Sequence, residues 1–173
     1  MSAANVVAAL ESGFDRIRVG VHDGVQVVLG HDWDGYVEDS HNRRITQVFT
    51  STIAGGFYGG ERNFAEEFEP ACCQLQRAAY LGTLLAGVVL QRSPVVLTLI
   101  GGGVFRNPIE VIWEAILRAF DDVQPLATGP FDVVLNGYNL SRLVGIDRIL
   151  PSVRARGGVV LQFDREGLFQ VLR

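Results

Sequence analysis

The chain has 173 residues, 48% of them hydrophobic and 20% charged, with a formal net charge of −4. That length and balance fit one globular domain burying roughly two thirds of its unfolded surface, and exclude a disordered or fibrous chain. The acidic balance excludes the basic face on which non-specific nucleic-acid binding relies, so no nucleic-acid partner is expected. All 15 basic residues are Arg and none is Lys, so any side-chain cation at a site is a guanidinium, and no Schiff-base or phosphate-loop lysine exists. Cys72 and Cys73 are adjacent and lack further partners. They read as buried thiols of an intracellular, cytoplasmic protein rather than a disulfide or zinc site. No basic region leads into an apolar core at the N-terminus, and the apolar runs are too often broken by Gly, Arg or Pro to span a membrane.

In chain order, residues 3–11 read as a helix with Val6, Val7 and Leu10 on one face, closed by Gly13. Strands are expected at 17–21 and 25–29, joined as a hairpin by His22-Asp23-Gly24, since Asp-Gly is the preferred two-residue turn. The polar stretch 31–44 holds His31, Asp32, Asp34, Asp39 and His41. Their spacing matches no metal-ligand motif, so they read as solvated loop residues and no metal is expected. A strand at 45–51 runs into Ala54-Gly55-Gly56-Phe57-Tyr58-Gly59-Gly60-Glu61-Arg62-Asn63, a glycine-rich loop that also carries aromatic and charged side chains. Loops of that kind in small domains are more often functional than idle.

A helix is expected from about Pro70 to Leu90, with Leu75, Ala78, Gly82, Leu85, Ala86 and Val89 near one face. Its small residues allow close packing on a sheet. After Ser93-Pro94 comes the stretch that organises the chain. Val95 to Ile100 reads as a buried strand, Gly101-Gly102-Gly103 breaks it, and a helix restarts at Asn107-Pro108. Asn107 suits an N-cap, Pro108 the first helical position, and Glu110 completes a capping-box-like start. A strand, a bare-backbone turn and a helix N-terminus together make an anion site, because unpaired N–H groups and the helix dipole converge there. The loop is neither a dinucleotide fingerprint nor a Walker A motif. A tight strand-to-helix turn that binds nothing is the alternative.

The helix 108–120 places Ile109, Ile112, Trp113, Ile116 and Phe120 on one apolar face, which makes Trp113 core. A linker at 124–130 precedes a strand at 131–136 that ends in Gly137-Tyr138-Asn139. Tyr138 is then placed at the same sheet edge as both glycine loops, where it can stack on a base or ribose. A helix from Leu140 is expected to stop before Pro151. Strands at 158–163 and 168–172 meet at Asp164-Arg165-Glu166-Gly167. Alternating strands and helices in the middle of the chain favour a single three-layer α/β/α domain with a mixed central sheet.

Two stretches carry a resemblance. Residues 97–107 (Leu-Thr-Leu-Ile-Gly-Gly-Gly-Val-Phe-Arg-Asn), the helix after them and Phe131 to Tyr138 resemble the phosphate-loop region of macrodomains, the ADP-ribose-binding modules whose loop reads G-x-G-V/I-F-G. The stretch from Gln47 to Glu67 resembles the second loop of the poly(ADP-ribose) glycohydrolase-like branch, where three glycines are followed, after a spacer, by Gln-Glu-Glu. Here Ala54-Gly55-Gly56 precedes Ala65-Glu66-Glu67, so alanine stands for the first glycine and for the glutamine, and Arg106 stands where the family has glycine. The resemblance spans roughly residues 45–139.

The resemblance implies that the pyrophosphate of ADP-ribose lies on the amides of Gly101, Gly102, Gly103, Val104 and Phe105, beside Arg106 and Asn107. The distal ribose would face Gly55, Gly56, Phe57 and Tyr58, with Tyr138 nearby. In the glycohydrolase the second glutamate is the general acid/base, which assigns that role to Glu67 and ribose positioning to Glu66. The partner is then ADP-ribose or an ADP-ribosylated protein, with no further cofactor. Three readings stay open: hydrolysis of the ribosyl linkage, a non-catalytic ADP-ribose reader, and a nucleotide- or phosphate-metabolite-binding α/β domain. In the reading without chemistry, Glu66 and Glu67 are first-turn acids favoured by the helix dipole.

Overall fold

A computed structural model of the chain describes residues 3–26, 44–54, 64–137, 140–164 and 166–172, with 64–68 described in backbone alone. In chain order the elements are α1 (Ala3–Ser12), β1 (Gly20–Gln26), β2 (Arg44–Phe49), α2 (Phe64–Val89), β3 (Val95–Leu97), α3 (Ile109–Val123), β4 (Val133–Leu135), α4 (Ile146–Arg154), β5 (Val160–Phe163) and β6 (Phe169–Leu172). A π-helical turn, Ser141–Gly145, leads into α4. The class is mixed α/β. Among the described residues the strands pair as three separate two-stranded sheets, β1–β2, β3–β4 and β5–β6, where the sequence pattern led us to expect one mixed sheet. The central strands span only three residues each, because the apolar run after Leu97 is diverted into the glycine turn.

The centre is a β–α–β unit. β3 and β4 pair in parallel with Val95 opposite Val133 and Leu97 opposite Leu135, and α3 makes the crossover between them. Ile109, Ile112, Trp113, Ala115, Ile116 and Ala119 of α3 are buried, as the 3.6-residue period requires. They pack with Tyr80 and Leu84 of α2 and with Leu97, so both helices lie on one face of the strand pair. Fully burying side chains such as Ile112 and Leu84 contributes about 1.5–3 kcal/mol each. Trp113 is core, as its helical spacing indicated. Among the described residues no helix is long and apolar enough to cross a membrane.

Four local expectations are corrected. Residues 20–26 form one continuous strand, so His22-Asp23-Gly24 is not a turn between two strands. Gly24, at φ +70°, makes a bulge between His22 and Val25 against the antiparallel β2. Asp23 is held there by Thr46 and by an ion pair with Arg92 at 2.9 Å, so the Asp-Gly pair serves a bulge. Second, α2 begins at Phe64, six residues before Pro70. Pro70 is exposed, so the carbonyl that loses its helical donor can be hydrated.

Third, the buried face of α2 is centred on Cys72, Gln76, Ala79, Tyr80 and Leu84. Leu75, Gly82, Leu85 and Ala86 are half-buried and Val89 is exposed, because the helix is clasped by α1 on one side and α3 on another. Fourth, α4 continues through Pro151 to Arg154, with Pro151 and Asp147 on its exposed side.

The carboxyl of Asp23 is pulled below the ordinary carboxylate range, first by the Thr46 hydroxyl and then by Arg92. A depressed carboxylate pKa stabilises the fold above the unfolded value, and that contribution is lost as pH falls through the folded value. Arg92→Ala is therefore expected to move the Asp23 titration upward toward the ordinary range, read by carboxyl NMR shifts. An unmoved titration would remove the ion pair from solution.

Candidate functional site

The turn from Thr98 to Asn107 is closed by its own backbone. Gly102 N–H donates to Leu99 O, Arg106 N–H to Gly103 O and Asn107 N–H to Gly101 O, each at 3.0 Å. Gly101, at φ +77°, takes a left-handed conformation that few side chains tolerate. A Cβ there would sit 2.3 Å from Asn107 Nδ2 and 2.9 Å from Thr52 Cγ2. Gly101 is thus a requirement of the fold. Gly103 is different: a Cβ built on it meets nothing within 4 Å, and its φ is not positive. Neither turn geometry nor packing asks for a bare backbone at that position.

Behind the turn, Gln76 and Tyr80, one helical turn apart on α2, hold it in place. Gln76 Nε2 donates to Ile100 O at 2.8 Å and to Thr52 Oγ1 at 3.1 Å. The Tyr80 hydroxyl donates to Thr98 O at 2.8 Å and accepts from Ile100 N–H at 2.9 Å. Cys72 lies in the same stripe and is fully buried. Burial, then the neighbouring Cys73, pushes the Cys72 thiol up to about 11, so it is a neutral thiol at pH 7 and no nucleophile. Burial likewise pushes the Tyr80 phenol up to about 12, against the pull of the Ile100 amide.

Thr52 is tied to the turn. Its hydroxyl accepts from Gln76 and, at 3.1 Å, from Asn107 Nδ2. Thr52 stands three residues before Gly55, so the strand leading into the second glycine segment is tied to the first. Asn107 is not the N-cap. The helix is capped by the backbone of Pro108, whose carbonyl accepts from Ile112 N–H, and no side chain caps it. Asn107 instead turns inward and is buried, because its amide is claimed by Thr52. Glu110 accordingly occupies the second helical position and no capping box forms. The carboxamide oxygens of Gln76 and Asn107 are buried and accept from no donor among the described residues.

The outer side of the turn differs from the inner. Gly103, Val104, Phe105 and Arg106 are exposed, and Arg106 lies at φ +52°, in the left-handed region. Among the described residues the amides of Gly103 and Val104 donate to no acceptor. The first amides of α3 (Ile109 to Val111) have no partner within the helix, as at any helix start. An exposed stretch of backbone, an exposed arginine and a helix N-terminus thus follow one another along the chain, groups whose chemistry suits an anion.

The structure brings together Gly101, Gly102, Gly103, Val104, Phe105, Arg106 and Asn107 of the expected site, with Asn107 on the inner side. Glu66 and Glu67 fall in the first turn of α2, and their side chains lie outside the described residues. Gly55, Gly56, Phe57, Tyr58 and Tyr138, and the loop residues His31, Asp32, Asp34, Asp39 and His41, also lie outside them. No group of three or more His, Cys, Asp or Glu among the described residues is placed to hold a metal. A small cavity between α2 and α3, lined by Arg77, Leu81, Arg118 and Asp122, has about 10 Å³ of space, which suits one water.

Sequence reasoning missed Thr52, Gln76 and Tyr80. The signal was present, since a glutamine and a tyrosine four apart on an otherwise apolar helix need buried partners. No protein-family model, no curated protein and no solved structure matches the chain.

Proposed function

We propose that the turn from Thr98 to Asn107 is the diphosphate cradle of an ADP-ribose-binding domain of macrodomain type. On this reading the short sheets are parts of a three-layer α/β/α arrangement around a mixed sheet. The partner is free ADP-ribose or an ADP-ribosylated protein. One observation carries the reading: the Asn107–Thr52 hydrogen bond ties the approach to the Gly55–Gly60 segment to the glycine turn. Two loops that must close on one ligand from different parts of the chain need such a tie.

The open surroundings of Gly103 add support. A glycine that the fold does not need fits a surface where a ligand comes against the backbone. Anion binding there would rest on the Gly103 and Val104 amides, the α3 dipole and Arg106. In the hydrolytic form, Glu67 protonates the leaving group and activates water, while Glu66 holds the ribose hydroxyls.

Calorimetric titration with ADP-ribose, AMP, ADP and NAD tests the proposal. ADP-ribose is expected to bind most tightly, and at a hundred times its dissociation constant to add about 2.7 kcal/mol of stability. Gly103→Ala is expected to weaken ADP-ribose binding about tenfold while leaving the unfolding midpoint unchanged or slightly raised. Arg106→Gly is expected to raise stability by about 1 kcal/mol, by relieving the left-handed strain, and to weaken binding. A preference for AMP or NAD over ADP-ribose would move the chain to another class of nucleotide-binding domain. Release of ADP-ribose from a modified protein, lost in Glu67→Ala with binding retained, is expected for the hydrolase. Binding without release identifies a reader.

A further inference from the structure

The C-terminal hairpin is built to cover something. β5 and β6 pair antiparallel with Leu161 opposite Val171 and Phe163 opposite Phe169, so these four side chains share one face. Val159, just before β5, extends that face by the strand alternation. All five are between 43% and 67% exposed. The Phe163 and Phe169 rings touch each other, with centroids 5.9 Å apart. The other face carries Val160, which packs against the core, and the Gln170–Gln162 hydrogen bond. Val160 joins that face to the core cluster while Gln162 and Gln170 stay exposed, and the first face is bare. A two-stranded hairpin is marginal in water without something packed on it.

We propose that this bare face is a self-association surface, packed against the same face of a second copy of the chain. Area is the first reason. The five side chains expose on the order of 500 Å² of apolar surface, near the top of what a monomer carries. Two such faces together bury on the order of 1,000 Å², the least that a specific interface needs.

Charge is the second reason. Among the described residues the face holds no ionisable group, so setting them against their own copies brings no like charges together, and a charged partner finds nothing complementary on them. The flanking turn, Asp164-Arg165-Glu166, is net acidic and so offers no basic patch to an anionic lipid surface. A twofold axis across the strands sets those two turns at opposite ends, so the acids of the two copies stay apart. The faces then stack as two sheets about 10 Å apart.

Sedimentation velocity of the full chain across about 1–100 μM is the test, since a μM dissociation constant lies in that range. A concentration-dependent dimer is expected. Phe163→Gln combined with Phe169→Gln is expected to raise the dissociation constant at least tenfold with an unchanged circular dichroism spectrum, since both rings are exposed in the monomer. Should that pair unfold, Val171→Thr provides the milder version, with a smaller shift in the same direction. Val89→Gln, exposed at the far end of α2, is expected to leave the dimer intact. A chain that stays monomeric at the highest concentration, a dimer indifferent to the hairpin variants, or a monomer that binds neutral phosphatidylcholine vesicles through this face would each overturn the proposal. None of these outcomes touches the ligand site.

Discussion

Gly101→Ala is expected to lower the unfolding free energy by about 3 kcal/mol, a large share of what a domain of this size has. Two costs act together. A left-handed backbone penalises a Cβ by about 1–2 kcal/mol. The new methyl also lands 2.3 Å from Asn107 Nδ2 and 2.9 Å from Thr52 Cγ2, well inside contact distance. Neither neighbour can swing clear, because Asn107 is buried and hydrogen-bonded to Thr52, which is itself held by Gln76. The clash is therefore relieved by moving the turn, which breaks the contacts to α2. Urea unfolding measures it, with Gly103→Ala as the comparison that keeps the chemistry and removes the crowding. A loss below about 1 kcal/mol at Gly101 would show that the Thr52–Asn107 tie is not rigid.

Alkaline pH is expected to have the next largest effect. Cys72 is raised from 9.0 to about 11 and Tyr80 from 10.0 to about 12, both chiefly by burial. For an acid raised in the folded state, the unfolded chain releases its proton first. The stabilisation is then complete below the unfolded pKa and lost as pH climbs to the folded one. The two windows are pH 9 to 11 for Cys72 and pH 10 to 12 for Tyr80. Each shift of about two units corresponds to about 2–3 kcal/mol, so stability is expected to fall by about 5 kcal/mol by pH 12. Tyr80 holds the glycine turn from behind, so the turn and the proposed ligand affinity are expected to fail together as it ionises.

Urea midpoints from about pH 8 to pH 11 measure this, and tyrosine ionisation followed by absorbance reports Tyr80 directly. Cys72→Ala is expected to flatten the first part of the fall. A profile flat to pH 11 would contradict the buried stripe. The same burial predicts that native Cys72 resists thiol reagents at neutral pH.

The elements that sequence reasoning placed well are those whose pattern is local. The α3 face from Ile109 to Ile116 follows from a 3.6-residue period, and the parallel strands flanking it follow from apolar runs joined by a helix. The turn at Gly101 to Gly103 was visible because three consecutive glycines interrupt both patterns. Asp23-Gly24 shows the opposite case. The dipeptide suits a hairpin turn and a bulge equally, and only the pairing with β2 and the anchor to Thr46 and Arg92 chose the bulge. Pro70 and Pro151 likewise do not stop their helices, and both sit exposed inside helices that run on past them.

What the amino-acid sequence determined by itself is the mixed α/β class, the β3–α3–β4 unit and the position of the glycine turn, all of which are set by short-range periodicity and backbone sterics. Tertiary structure alone decided which glycine the fold requires, why Asn107 faces inward and how Thr52, Gln76 and Tyr80 brace the turn. Those features depend on groups 18 to 55 residues apart in the chain meeting within hydrogen-bond distance. A hydrogen bond of that kind leaves no periodic trace in the sequence, since its partners are chosen by packing.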